Sequence, residues 1–291
     1  MGKVENIGIG ARRRLFNLGI REKAIISTAA FGTFFIAVLV AGSLIDMDLI
    51  RVDLANIFVF PSLTHPFGTD WVGRDMLLRT IKGLSISMQI GILCSLSSGL
   101  IAVILGVAGP MFGGKADDLV SWLIDLVLSV PHTLVIILIS IAVGGGLKGI
   151  VLGVTLTHWT SLTRVIRAEV MQIKEMEYTK ISKKFGKSNF YIAKEHVLPH
   201  IIPQLVVGIV LVFPHAILHE ASVTFLGFGL PPHEPAIGVI LSESMKYLTS
   251  GKWWLAFFPG LSLVLISMMV DNIGKNMEKL INPKTAYKQS S

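Results

Sequence analysis

The sequence predicts an all-α polytopic membrane protein with six transmembrane helices, and three observations carry that prediction. Of the 291 residues, 52% are hydrophobic and only 15% are charged, whereas soluble domains carry about 25% charged residues. The apolar residues fall in long uncharged blocks, a pattern that suits a bilayer and not a soluble core. Lysine and arginine gather at the ends of these blocks, as the positive-inside rule describes.

A crossing helix needs about 20 apolar residues. The first block, 25–45, contains no charge, and the second crossing, 88–108, is the core of an uncharged run over 83–114. The third is placed over 119–143 as one span that includes Pro131. The fourth, 149–170, is uncharged only through Thr163; Arg164 and Arg167 follow on the same helix, with stems able to snorkel to an interface. The fifth, 202–219, holds Pro214, and the sixth runs over 253–272. Membranes tolerate proline inside a span better than water does. The first block is preceded by more than twenty residues and is long enough to span, so it reads as a span and not a cleavable signal.

Six spans put both ends on one side. With residues 1–23 as an N-terminal segment, 24–280 as the transmembrane domain and 281–291 as a tail, 19 Lys and Arg residues fall on the side of the termini and seven on the other. The termini and the loop over 172–200 are therefore expected in the cytoplasm, with the longer segments 46–82 and 220–252 outside.

The net charge of +7 invites a nucleic-acid partner. The placement of the basic residues argues against one, because they flank apolar blocks and build no basic face. Gly109 to Lys115 reads as most of a phosphate-binding loop, but Ala116 stands where a magnesium-binding hydroxyl is needed and the stretch joins two spans. His219-Glu220 and His233-Glu234 lack the second histidine of H-E-x-x-H. The single cysteine, Cys94, permits no disulfide or thiolate metal site and reads as buried apolar packing. Nothing in the chain builds a hydrolase or catalytic site.

The segment 175–203 is the informative one. Tyr178, Ile181 and Phe185 recur at helical spacing with lysines on the other face, Gly186 stops that helix, and Phe190 to Val197 predict a second short helix ended by Leu198-Pro199. An apolar stripe on an internal loop favours docking of a helix into a partner's groove. Here the chain resembles the permeases of type I ABC importers. Their loop carries Glu-Ala-Ala, three residues, Gly and a later hydrophobic-x-Leu-Pro. Gly186 and Leu198-Pro199 hold that separation, Lys180-Ile181-Ser182 replaces Glu-Ala-Ala, and Glu177-Tyr178 matches the subgroup that reads Glu-Tyr.

Further blocks are similar to the C-type permeases of dipeptide, oligopeptide and nickel importers. They are His65 to Asp70 with Gly73-Arg74-Asp75, then Glu220-Ala221-Ser222 with Phe225 to Gly229 and Pro231-Pro232. Trp253-Trp254 with Phe258-Pro259-Gly260 and Asn282-Pro283-Lys284 complete the set. Read from the residues alone, Gly68, Asp70, Gly73, Arg74 and Asp75 are turn and capping chemistry before the second span, with gripping of an external binding protein as the alternative. Trp253-Trp254 reads as an aromatic belt.

The resemblance implies the fold of a type I importer permease in a bacterial inner or plasma membrane. It implies a second homologous permease, two ABC ATPase subunits that use ATP and magnesium, and an extracytoplasmic solute-binding protein. It implies cargo that is a peptide, nickel or a metal–chelate complex, and no cofactor held by this chain. Glu177, Tyr178, Lys180, Ile181, Phe185, Gly186, Leu198 and Pro199 would couple to the ATPases. His158, His215, His219 and Glu220 are polar groups at membrane depth and candidates for the path, with His215 and His219 one helical turn apart. Two other classes compete. An ion-coupled secondary transporter predicts paired intramembrane acids and internal repeats, which the sequence lacks. An intramembrane metalloenzyme is suggested by His132, His158, His215 and His219, without a complete metal constellation or a base–nucleophile pair in the sequence.

Overall fold

The computed structural model describes residues 19–281. The expected N-terminal segment through residue 18, its arginines, the Asn282-Pro283-Lys284 block and the tail lie outside the described residues. Ten α-helices make up the described chain: α1 (Ile20–Leu44), α2 (Met76–Phe112), α3 (Gly114–Leu128), α4 (His132–Ala142), α5 (Gly146–Glu175), α6 (Glu177–Lys184), α7 (Asn189–Ile192), α8 (Leu198–Phe225), α9 (Ile237–Leu248) and α10 (Trp254–Ile281).

Among the described residues, four stretches are long and apolar enough to cross a membrane: Arg21–Leu44, Met76–Phe112, Asn189–Phe225 and Trp254–Ile281. The bent pair α3–α4 can make a fifth. The six straight spans read from sequence are corrected in one place. The third, 119–143, is two helices bent by 93°. Pro131 at the break lacks the N–H that would continue α3, and Ser129 closes α3 with its N–H on the Asp125 and Leu126 carbonyls. The fourth is α5, 30 residues long, whose composition is too polar to pass as a lipid-facing span. Its position explains this. It buries Thr155, Thr157, His158, Thr160 and Thr163 against α2, α4 and α8, and so presents protein, not lipid, to those groups.

α2 is the central column and packs on α1, α5 and α8; α10 closes the bundle against α8 and α9. Small residues let these helices approach. A side chain on Gly91 would meet the Phe213 ring at 2.9 Å, and one on Gly208 would meet Leu162 at 2.2 Å. Arg164 and Arg167, expected to snorkel, instead tie α5 to α3. Arg164 reaches Asp125 at 2.9 Å, and Arg167 grips both oxygens of Asp117 at 2.7 Å.

One end of the bundle carries the segment 45–75 and α9; the other carries α6 and α7. At the first end Gly73 has φ +80, and a Cβ there would sit 1.8 Å from the Asp53 carbonyl oxygen. Trp254, read as a membrane anchor, is buried against Gly68 and directs its indole N–H to the Thr69 carbonyl at 3.4 Å, while Trp253 keeps 43% exposure. Its partner is therefore the folded loop, not the lipid interface. Gly73→Ala is expected to cost on the order of 1–3 kcal/mol from backbone strain and more from the clash. Gly260→Ala, in α10 with its nearest atom at 3.7 Å, should be neutral or stabilising. Thermal unfolding of the two purified variants in detergent checks the contrast.

Candidate functional site

Three constellations hold the residues that the sequence singled out. The first is the α6–α7 hairpin. Gly186 takes φ +77 just past α6. Its N–H bonds the Lys183 carbonyl at 3.0 Å and that of Lys187 bonds Ser182 at 3.2 Å, the paired closure of a Schellman motif. Ser188 then caps α7, accepting from the Tyr191 N–H at 3.2 Å. Phe185 is 82% exposed and Phe190 75%; Tyr178 and Ile181 are also exposed, while Ile192 and Val197 anchor the hairpin in the core. Lys180, where the resembled family has Glu, pairs with Glu175 at 2.7 Å and draws that carboxyl below its ordinary pKa.

Leu198-Pro199 was expected to end the second short helix, and the structure corrects this. A π turn over Ala193–Val197 runs into α8 without a break, and the Leu198 N–H reaches back to the Ala193 carbonyl. The wider turn accommodates the ring and the missing N–H of Pro199.

The second constellation is the 68–79 segment. Asp70 is fully buried and accepts from the Val72 and Arg74 N–H groups, both at 2.9 Å, and from Arg74 Nε at 2.6 Å. Gly68 and Gly73 adopt positive φ on either side. Asp75 caps α2, accepting from Leu77 and Leu78, and meets His65 Nδ1 at 2.8 Å. Arg79 completes the network. It is 2% exposed, donates to Asp70 at 3.2 Å and to Glu243 of α9, and lies over the Trp71 ring. Sequence reasoning missed Arg79 and Glu243 because 164 residues separate them and no periodicity links them.

The third lies at depth, where the structure brings His158 and His219 together with His132, the first residue of α4. Each offers one ring nitrogen, and the three nitrogens lie within 4.8 Å of one another. His158 is buried and the other two are half-buried. His215 is not in this group; it sits exposed one turn away on α8. Glu220 turns elsewhere. It is fully buried beside Ser87 of α2, and its Oε1 accepts from Thr224 Oγ1, one turn on in the same helix, at 3.1 Å. His132 carried two sequence signals, its place among the histidines at membrane depth and its position after Pro131, which marks the bend.

A helical bundle with a central polar helix, a broken crossing and a hairpin with exposed aromatics at one end defines a membrane transport subunit. Residues 74–283 match the family described as binding-protein-dependent transport system inner membrane component, and the chain belongs to that family. It is 32% identical to the dipeptide transport system permease protein DppC of Bacillus subtilis (strain 168) over 250 residues, covering 86% of this chain and 78% of that protein. It is also 32% identical to the oligopeptide transport system permease protein OppC of the same strain, covering 81% and 77%. A chain of the MetNI methionine ABC transporter in an inward facing conformation superposes with TM-score 0.53 at 15% identity, covering 69% of this chain and 97% of that one. That likeness shows the type I importer permease fold.

Removing one member of the buried ion network strands the others. Arg79→Leu leaves Glu243 without its cation and Asp70 with Arg74 alone, and is expected to cost about 3–5 kcal/mol. Glu243→Gln keeps a hydrogen-bond acceptor at a partly exposed position and should cost less. Unfolding of both variants in detergent, followed by tryptophan fluorescence, reads the order.

Proposed function

We propose that this chain is one of two homologous permease subunits that together line the path of an ATP-driven importer. Its cargo is a peptide or a metal–chelate complex. Two ABC ATPase subunits, which bind the ATP and magnesium, dock at the α6–α7 end, and an extracytoplasmic binding protein delivers cargo at the α9 end. The chain lies in a bacterial cell membrane with both termini in the cytoplasm; the 19-to-7 distribution of Lys and Arg supports that direction.

The observation that carries the reading is the hairpin itself. Aromatic side chains exposed to the extent of Phe185 and Phe190 are costly in water, and the Schellman turn holds them rigidly. A helix–turn–helix with an apolar crest suits insertion into a groove on an ATPase. The peptide class is supported by the names of the relatives, which carry dipeptides and oligopeptides.

Gly186→Val puts a β-branched residue at positive φ and should break the turn. The expected outcome is ATP hydrolysis that no longer depends on loaded binding protein, or loss of the ATPase from the purified complex, with the spans still inserted. Normal cargo uptake by that variant refutes the docking role. Direction is tested separately by cysteines in a Cys94→Ala background. Positions 246 and 252 should react with an impermeant maleimide in intact cells, and positions 183 and 187 should not. The reverse pattern overturns the orientation.

A further inference from the structure

We infer that His132, His158 and His219 form an intramembrane binding site for a divalent transition metal that arrives with its own anionic ligands. This deepens the importer reading, on which it rests, by naming the chemistry of cargo that the path contacts.

The three imidazoles come from three helices, α4, α5 and α8, and converge at depth. His158 lies 12 residues along α5, ~18 Å from its first residue at 1.5 Å per residue. Ring centroids are 5.0 Å apart for His158 and His219, 5.5 Å for His132 and His158, and 6.4 Å for His132 and His219. The buried ring is also oriented for ligation. His158 Nδ1 lies 3.0 Å from the Val154 carbonyl oxygen, which only accepts. It lies equally close to Thr157 Oγ1, whose own hydroxyl has the Gly153 and Val154 carbonyls as acceptors. The proton therefore sits on Nδ1 and donates to this backbone edge, leaving Nε2 as a lone pair. A metal-binding histidine is held by the same outer hydrogen bond.

Neutral imidazole suits nickel, copper and zinc. Three imidazoles beside a chelator's own donors make a six-coordinate centre, and metal–nitrogen bonds of about 2.1 Å at right angles place ligand nitrogens ~3.0 Å apart. From a spread within 4.8 Å, the rings close by at most ~1.8 Å on that estimate. His132 sits at the bend between α3 and α4, where a small change in bend angle moves it.

The charge balance selects the form of the cargo. Among the described residues no carboxylate joins this group; the nearest acid in sequence, Glu220, is buried with its Oε1 accepting from Thr224. A bare divalent ion beside three neutral rings in a low-dielectric bundle is uncompensated. A metal held by carboxylates, as in a chelate with a peptide or amino-carboxylate ligand, brings its own compensation and leaves coordination positions for the imidazoles. Three neutral ligands without a fourth from the protein also suit passage, because they release what they hold.

The test uses the full chain purified with its partner permease, without a polyhistidine tag, in lipid nanodiscs. The probes are nickel chloride and the one-to-one nickel complex of iminodiacetate, a three-donor chelator that leaves three coordination positions open, followed by calorimetry, with cobalt substitution read from its visible absorption. The expected result is one site per chain, binding the iminodiacetate complex, and weakened at least tenfold in the triple variant His132→Ala, His158→Ala, His219→Ala. The His233→Ala variant, at an exposed residue outside the cluster, should bind as the parent does. Because His158 is buried, His158→Gln is measured alongside, with its unfolding temperature, and is expected to weaken binding while remaining folded. Binding that is absent, or equal in the parent and triple variant, overturns the site. ATP-driven uptake of a metal-free peptide by the triple variant separates the two readings: its persistence leaves the importer standing while the metal site fails or holds on the calorimetry alone.

Discussion

Hydrocarbon offers no hydrogen bonds, so every polar group at membrane depth must find its partner inside the protein. The arrangement of this chain follows from that constraint. α1, α2, α8 and α10 are apolar because they meet lipid; α5 is polar because the others wrap it. Thr157, Thr160 and Thr163 bond backbone carbonyls of their own helix, and its histidine meets two more from neighbouring helices. The long helix that is too polar to face lipid is thus the one that supplies polar surface to the interior.

The same constraint governs the α9 end. Arg79 is fully enclosed, and an enclosed guanidinium is tolerable only with anions at hand. Asp70 and Glu243 supply them, and in doing so pin a loop before α2 to a helix 164 residues later. The glycines at 68 and 73 permit the tight path that brings Asp70 inward. The α6 end obeys the opposite rule: it leaves Phe185 and Phe190 in water on a rigid turn, a cost that makes sense for a chain whose work requires a second protein there.

How much of this was legible in the sequence depended on whether the signal was local. Lipid-facing spans were legible because lipid demands apolar residues everywhere along them. The Gly186 turn was legible because positive φ is written in one residue. Pro199 misled, since its helix-breaking character is absorbed by a π turn that sequence does not announce. Trp254 misled because a buried tryptophan and an interfacial one are spelled alike. His215 and His219 looked like a pair from their spacing on one helix, yet the partners of His219 come from α4 and α5, and only the bend at Pro131 delivers His132. Arg79 and Glu243 carried no signal, because their meeting is a property of the packed bundle.

The central claim is that the polar face around His219 lines a water-accessible path, whereas the apolar face of α1 meets lipid. The direct measurement is reaction of a charged, membrane-impermeant thiosulfonate with a cysteine at position 219 in the assembled transporter, in a Cys94→Ala background, with a cysteine at Ile36 of α1 as the lipid-facing control. The account predicts that position 219 reacts, at a rate that changes between nucleotide-free and ATP-bound states, while position 36 stays unreactive. A cysteine at 219 that is inert in every state, or one no more reactive than that at 36, contradicts it.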